Sequence, residues 1–208
     1  MIYAPRMIKL YGSPRSTCTR KVLMTLHETS TPFEMNVVDL PKGEHKKDPH
    51  TQRQPFGRIP AIDDDGFEMF ESRAIARYIA EKAGSPLVPR DLKARAKMEQ
   101  WISVETSELS VHAMKFVYEH VFKRPQEPAV LEAAGKALGH TLGVMDRHLA
   151  KTPFVSGADF TIADVSFMPY FEYVMQSPAK ELMTPHESVM AWWSKVSERP
   201  TWRKVVGA

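Results

Sequence analysis

The sequence predicts two fold classes in one chain of 208 residues: a small α/β domain over 1–84 and, after a linker over 85–91, an all-helical domain over 92–208. Three observations predict this. In the first part, short apolar runs stopped by glycine or proline alternate with helical stripes, in the order βαβ, loop, ββα. Ser85 to Asp91, carrying Pro86 and Pro89, then interrupts all periodicity. Beyond it the apolar residues recur at helical spacing and nothing reads as a strand.

Met7 to Tyr11 is an apolar run halted by Gly12 and Pro14, hence a strand. Thr17 to Glu28 follows as a helix whose Cys18, Val22 and Leu26 share one face. Thr31-Pro32 ends it. Phe33 to Leu40 sets Phe33, Met35 and Val37 inward against polar neighbours and reads as a second strand. Strand, helix and strand in that order predict a parallel pair with a right-handed crossover. Pro41 to Gly57 is polar and basic, a loop with room for one helical turn. Ile59 to Asp63 and Phe67 to Phe70 flank Asp64-Asp65-Gly66, a hairpin signal. Pro60 lacks an N–H for the ladder, so it marks an edge, a bulge or a cis turn. Ser72 opens a helix with Ile75, Tyr78 and Ile79 on one side, closed by Gly84.

In the second part, Met98, Ile102, Leu109, Ala113 and Phe116 mark one long helix up to Arg124. Pro125 and Pro128 break and restart the chain. Leu131, Ala134, Leu138, Leu142, Met145 and Leu149 form the next stripe. Thr161 to about Met175 is a further helix with Pro169 inside it, and Val189, Trp192, Trp193 and Val196 line the last. Thr161-Ile162-Ala163-Asp164 has the shape of a capping box with Asp in place of Glu, a structural device.

The bulk numbers exclude several functions. The net charge of +3 is mild and the charges interleave, so no basic stripe offers a nucleic-acid footprint. A single cysteine rules out a disulfide framework and an internal dithiol and suits a reducing compartment, so a cytoplasmic location is expected. No apolar run reaches about 18 residues, which argues against a membrane span. Met1 to Arg6 lacks the apolar stretch of a signal peptide, and Met7 is an alternative start. The eight histidines form no tight ligand cluster, so no metal site is expected.

The stretch Tyr11 to Cys18 is where a strand gives way to a helix, and there backbone N–H groups and the helix dipole favour an anion. Ser16 has two readings. It is an N-cap worth about 1 kcal/mol, or a hydroxyl donor to a bound thiolate. Lowering a thiol pKa by about two units needs roughly 2.7 kcal/mol. A hydrogen bond to a charged acceptor supplies roughly 1.5–3 kcal/mol, and a helix N-terminus roughly 0.3–1. Ser16 therefore suffices without ionising. Cys18 lies on the apolar stripe and reads as a packing residue. At the second such junction, Ser72 and Glu71 are either a plain cap with a solvated acid or a pair for a ligand carboxylate and ammonium. Gly43-Glu44-His45-Lys46-Lys47 is a solvated basic loop, or one that closes over a second carboxylate.

These pieces resemble the glutathione S-transferase family, and most closely its phi class, over nearly the whole chain. The resemblance rests on Tyr11-Gly12-Ser13-Pro14-Arg15-Ser16 running into Thr19-Arg20-Lys21-Val22-Leu23, on Gly43-Glu44-His45-Lys46-Lys47, on Pro55-Phe56-Gly57-Arg58-Ile59-Pro60, on Phe70-Glu71-Ser72-Arg73-Ala74-Ile75 and on Thr161-Ile162-Ala163-Asp164. It implies a thioredoxin-like N-terminal domain, an all-helical C-terminal domain and a homodimer. It implies glutathione as co-substrate, with Ser16 stabilising the thiolate as the catalytic residue. His45 and Lys46 match the residues that hold the glycyl carboxylate. Ile59 pairs with the cysteinyl part just before a cis-proline, Pro60, and Glu71 and Ser72 hold the γ-glutamyl end. Arg58, counted with this set, stands where phi-class proteins commonly carry Gln, so its contact is unassigned. The acceptor pocket is expected between the domains, with Ser13 and Pro14 on one wall and Tyr118 and Tyr173 on the other. The two tyrosines are read equally well as packing residues.

The reaction implied is attack of glutathione thiolate on an electrophilic carbon of a small hydrophobic molecule, the enzyme role being detoxification. Two other functions share the residues: a glutathione-dependent peroxidase, and a non-catalytic carrier of glutathione or hydrophobic ligands.

Overall fold

In the computed structural model, which describes residues 7–207, the first strand β1 (Ile8–Gly12) lies in the middle of a four-stranded mixed sheet. Its Ile8 and Leu10 are buried, while Met7, expected to begin it, is exposed. The strand order is β2-β1-β3-β4, with β2 (Phe33–Val37) parallel to β1, β3 (Ala61–Asp64) antiparallel to β1, and β4 (Phe67–Phe70) antiparallel to β3. The β2 strand is shorter than the expected run to Leu40, and Val37 does not face inward. It is 65% exposed: its backbone pairs with Gly12 of β1, but β2 is an edge strand and the Val37 side chain is turned to the open side. The inward residue is Val38, whose N–H donates to Gly12 C=O at 2.8 Å.

Helix α1 (Thr17–Glu28) is the crossover between the parallel strands, and its Val22, Met24 and Leu26 are fully buried. Cys18, expected to pack with them, is only half-buried because it sits on the first turn, at the open edge of the sheet. The 41–57 loop contains a 3₁₀ turn (Glu44–Lys46) and a short helix α2 (His50–Arg53). The hairpin turn closes where Asp63 Oδ1 accepts from Gly66 N–H at 2.7 Å. Helix α3 (Ser72–Lys82) buries Ile75, Ala76, Ile79 and Ala80. It is tied to β3 by the buried carboxylate of Asp64, which accepts from Tyr78 O–H at 2.6 Å and from Lys82. The shared carboxylate holds both the Tyr78 and the Lys82 pKa above their ordinary values.

The chain divides into two compact units, one running to Pro86 and resuming at Pro200, the other Leu87–Arg199. The second is all helix apart from an isolated bridge between Phe154 and Gly157. The single helix expected up to Arg124 is interrupted twice. After α4 (Leu92–Val104) comes a π turn (Glu105–Leu109), then α5 (Ser110–Phe116) and a second π turn (Val117–Val121). Helix α6 (Pro128–Leu149) starts on its proline and buries Ala134, Leu138, Leu142, Met145 and Leu149, with Leu131 only half-buried. Helix α7 (Ile162–Met175) is the centre of this unit, buried continuously from Ile162 to Phe171. At its start Thr161 and Asp164 form a full capping box. Asp164, completely buried, also accepts from Val155 N–H at 3.0 Å and from Trp192 Nε1–H at 2.9 Å. The box thus ties the 155 loop, α7 and α8 (Glu187–Ser197) to one carboxylate.

The last helix departs from the expected 92–208 domain. Helix α9 (Pro200–Val206) belongs to the first unit: Trp202 is 1% exposed there, and Thr201 Oγ1 donates to the Glu28 carboxylate at the end of α1. Helix α9 thus packs against α1 within this unit. Burial and the nearby Lys204 charge hold His27, in the last turn of α1, below its ordinary pKa. The leader reading of Met1 to Arg6 falls outside the described residues. Among those residues no helix is long and apolar enough to cross a membrane.

Candidate functional site

Strand register brings the two helix starts together. Tyr11 pairs with Ala61, and Ala61 with Phe70, so one row crosses the sheet where β1 ends, β3 begins and β4 ends. The residues just beyond that row are Gly12 and Ser13, Pro60 and Ile59, and Glu71. Helices α1 and α3 both begin at this edge, so both N-termini open onto it.

At the first of them, Ser16 is the N-cap with extended backbone, and its Oγ accepts from Thr19 N–H at 3.2 Å. A hydroxyl that accepts in this way keeps its proton available. The loop before it is fixed by Ser16 N–H to Ser13 C=O at 2.9 Å, by Arg20 Nε–H to Pro14 C=O at 2.9 Å and by Ser13 N–H to Thr19 Oγ1 at 3.3 Å. Thr19 packs so closely on Gly12 that a Cβ there would meet its Oγ1 at 2.6 Å. Ser13 is half-buried and Pro14 exposed beside Ser16.

At the second, Glu71 has φ 72°, a left-handed conformation rare for a residue with a side chain. Its side chain makes no cap hydrogen bond. Ser72 is 3% exposed, and neither side chain has a partner among the described residues. A strained backbone that presents an acid and a hydroxyl without partners suits an external cation and anion.

Between them lies the Gly43-to-Pro60 segment. His45 is half-buried and Lys46 exposed on the 3₁₀ turn, with Lys46 Nζ donating to Phe56 C=O at 3.4 Å. The Ile59–Pro60 bond is cis, and the N–H and C=O of Ile59 take no partner among the described residues. Arg58 is exposed, and both its backbone groups are taken. Its N–H donates to Gln54 Oε1 at 3.1 Å and its C=O accepts from His50 Nε2–H at 2.6 Å. Only its guanidinium is left to reach a ligand. The Arg53 guanidinium lies 4.3 Å from the Tyr11 ring centroid and its Nε 3.1 Å from Glu68, anchoring α2 to β1 and β4. His50, Arg53 and Gln54 were beyond sequence reasoning. They sit in a polar loop without periodicity, and only the fold shows what they face.

Gly57→Ala is expected to loosen this segment. Gly57 has φ +59°, and a Cβ would stand 2.8 Å from Lys46 Cδ and 2.9 Å from His45 C=O. The left-handed backbone alone costs about 1–2 kcal/mol. Amide exchange over Glu44–Lys46 is expected to rise at least about tenfold, the equivalent of about 1.4 kcal/mol; exchange equal to wild type would show that the loop does not depend on this approach.

Tyr118 and Tyr173 are described within the helical unit. Tyr118, Phe122 and Tyr173 form a row with centroid spacings of 6.2 and 5.7 Å, and Arg124 lies 5.7 Å from the Tyr118 ring. Tyr173 is 4% exposed, so its ring is largely given to packing. Among the described residues no group of His, Cys, Asp and Glu is arranged to hold a metal ion.

The class follows first from the fold: a thioredoxin-like sheet with uncommitted polar groups at one edge, joined to an all-helical unit. The family model described as glutathione S-transferase, N-terminal domain matches residues 7–81, and the corresponding C-terminal domain model matches residues 128–193. Glutathione S-transferase F11 of Arabidopsis thaliana is 37% identical over 96% of this chain and 97% of its own. Glutathione S-transferase APIC of Nicotiana tabacum is 35% identical over 95% and 96%. Among solved structures, glutathione transferase F2 of Populus trichocarpa superposes with a TM-score of 0.93 at 34% identity, covering 96% and 97%. Maize glutathione S-transferase I, in complex with an atrazine glutathione conjugate, gives a TM-score of 0.89 at 28% identity, covering 98% and 97%. The chain belongs to the glutathione S-transferase family, among relatives of the phi class.

Proposed function

We propose that this chain binds glutathione at the sheet edge and conjugates its thiolate to electrophilic small molecules. The observation that carries the reading is the Ser16 hydroxyl at the start of α1, whose oxygen accepts from Thr19 N–H at 3.2 Å and whose O–H has no acceptor among the described residues. A thiol placed there gives up its proton to solvent because hydroxyl and helix N-terminus both favour the anion. The sulfur then attacks an electrophilic carbon. With a halide on that carbon, a carbon–sulfur bond forms as the carbon–halogen bond breaks, and the halide leaves with the electron pair. Ser16 donates a hydrogen bond throughout and remains neutral.

The rest of the tripeptide has matching partners on the same edge. Glu71 would take the α-ammonium and Ser72 the carboxylate of the γ-glutamyl end. Ile59 would pair with the cysteinyl backbone, and His45 and Lys46 would hold the glycyl carboxylate, with Arg58 beside them as a further cation. Ser13 and Pro14, next to Ser16, would meet the acceptor. The family membership further supports a cytoplasmic homodimer that detoxifies reactive compounds; sedimentation in solution tests the dimer.

The test is turnover of a chloro-nitroaromatic, an isothiocyanate and an organic hydroperoxide, each with glutathione. Conjugation of either carbon electrophile above the uncatalysed rate is expected. Turnover of the hydroperoxide alone would make the protein a peroxidase on the same site, and calorimetric binding of glutathione without any turnover would make it a carrier.

A further inference from the structure

We infer that His50 is a positioning residue for bound glutathione: by donating to the Arg58 carbonyl it aims the Ile59 N–H at the ligand. The inference rests on the glutathione reading above. His50 is 5% exposed, on the four-residue helix α2. Its Nε2 lies 2.6 Å from Arg58 O, and since a carbonyl can only accept, Nε2 carries the proton. The other ring nitrogen, Nδ1, is buried and has no hydrogen-bond partner. For packing alone, a phenylalanine would fill this place without leaving a buried nitrogen unmatched. What the imidazole adds is the one hydrogen bond to Arg58.

That bond matters because of peptide geometry. The Arg58 C=O and the Ile59 N–H belong to the same planar amide and point in opposite directions. Fixing the carbonyl toward His50 therefore fixes the N–H outward, where no group among the described residues meets it. Accepting a hydrogen bond also polarises the amide and strengthens its N–H as a donor. The preceding amide is held from the C-cap of the same helix, by Gln54 Oε1 at 3.1 Å from Arg58 N. His50 N–H in turn donates to Lys47 C=O at 3.0 Å, next to His45 and Lys46. One buried residue, through its backbone N–H on one side and its imidazole on the other, thus joins the basic turn to the strand edge, so that the two ends of a bound tripeptide would meet a surface already aligned.

Two variants and two readouts test this. His50→Phe keeps the ring and removes the donor; His50→Gln keeps a donor at similar reach. Hydrogen exchange, which needs no ligand, is expected to show the amides of Gly57 and Arg58 exchanging at least about tenfold faster in His50→Phe, with those of α3 unchanged. In steady-state conjugation, His50→Phe is expected to raise the glutathione KM about tenfold, with kcat and the electrophile KM within about twofold, and His50→Gln is expected to restore most of the loss. Exchange and glutathione KM both equal to wild type in His50→Phe would overturn the inference, as would a loss confined to kcat. Wild-type protein that does not bind glutathione would defeat the functional reading, and the aiming role with it, even if the exchange result confirmed that His50 holds the Arg58 amide.

Discussion

Ser16→Ala is expected to lower kcat/KM for conjugation by roughly 10- to 150-fold, which is the loss of one hydrogen bond to a charged acceptor, about 1.5–3 kcal/mol. The same change should raise the pKa of enzyme-bound glutathione by about one to two units, read as thiolate absorbance against pH. Glutathione affinity should change little, because in the proposed binding mode the Ser16 side chain meets the sulfur alone. A secondary loss of about 1 kcal/mol in stability is expected from the missing N-cap, since Thr19 N–H loses its 3.2 Å acceptor. Ser16→Thr supplies the control, retaining hydroxyl and cap. Cys18→Ala should leave activity near wild type. Full activity in Ser16→Ala, or its loss in Cys18→Ala, would move the chemistry to a different group.

Asp164→Ala is expected to destabilise the helical unit by roughly 3–5 kcal/mol, a large part of the 5–15 kcal/mol typical of a whole domain. The alanine leaves Val155 N–H, Thr161 N–H and Trp192 Nε1–H without acceptors in a site closed to water. Urea unfolding followed by tryptophan fluorescence measures it, and a midpoint within error of wild type would contradict this account of the box. A pH dependence accompanies it. Burial pushes the Asp164 carboxyl up to about 6, against the downward pull of its hydrogen bonds, from 3.8 in the unfolded chain. A raised carboxyl pKa stabilises the fold fully below 3.8, and that stabilisation is lost as pH rises through about 6. Asp164→Asn cannot titrate, so wild type should lose stability relative to it, by at most about 3 kcal/mol, between the two values.

What could be read in the sequence was whatever a period or a stop residue writes locally. The Leu10-to-Gly12 stop, the Val22 and Leu26 face and the Thr161-to-Asp164 cap each carry their cause within a few residues, and the fold places them accordingly. The orientation of Val37 was not legible, because an edge strand has a neighbour on one side only. The π turns at Glu105 and Val117 extend an apolar stripe without changing its look, and so one long helix was expected where there are two. The candidate site was legible as residue types, hydroxyl, acid and base next to helix starts. Its arrangement was not, since it depends on the pairing of Tyr11 with Ala61 and of Ala61 with Phe70 across long stretches of chain. His50 shows this best: its function lies in a carbonyl eight residues away.

The return of α9 to α1 sets an order on synthesis. While the ribosome is still making Leu87–Arg199, the first unit is without α9 and its buried Trp202, and the side of α1 against which α9 packs faces water. At roughly 5–20 residues per second that interval lasts many seconds. The half proposed to bind glutathione is thus translated before the helical unit and completed after it. A nascent chain stalled in the helical unit should display an apolar surface that chaperones recognise, and adding the α9 peptide in trans should hide it.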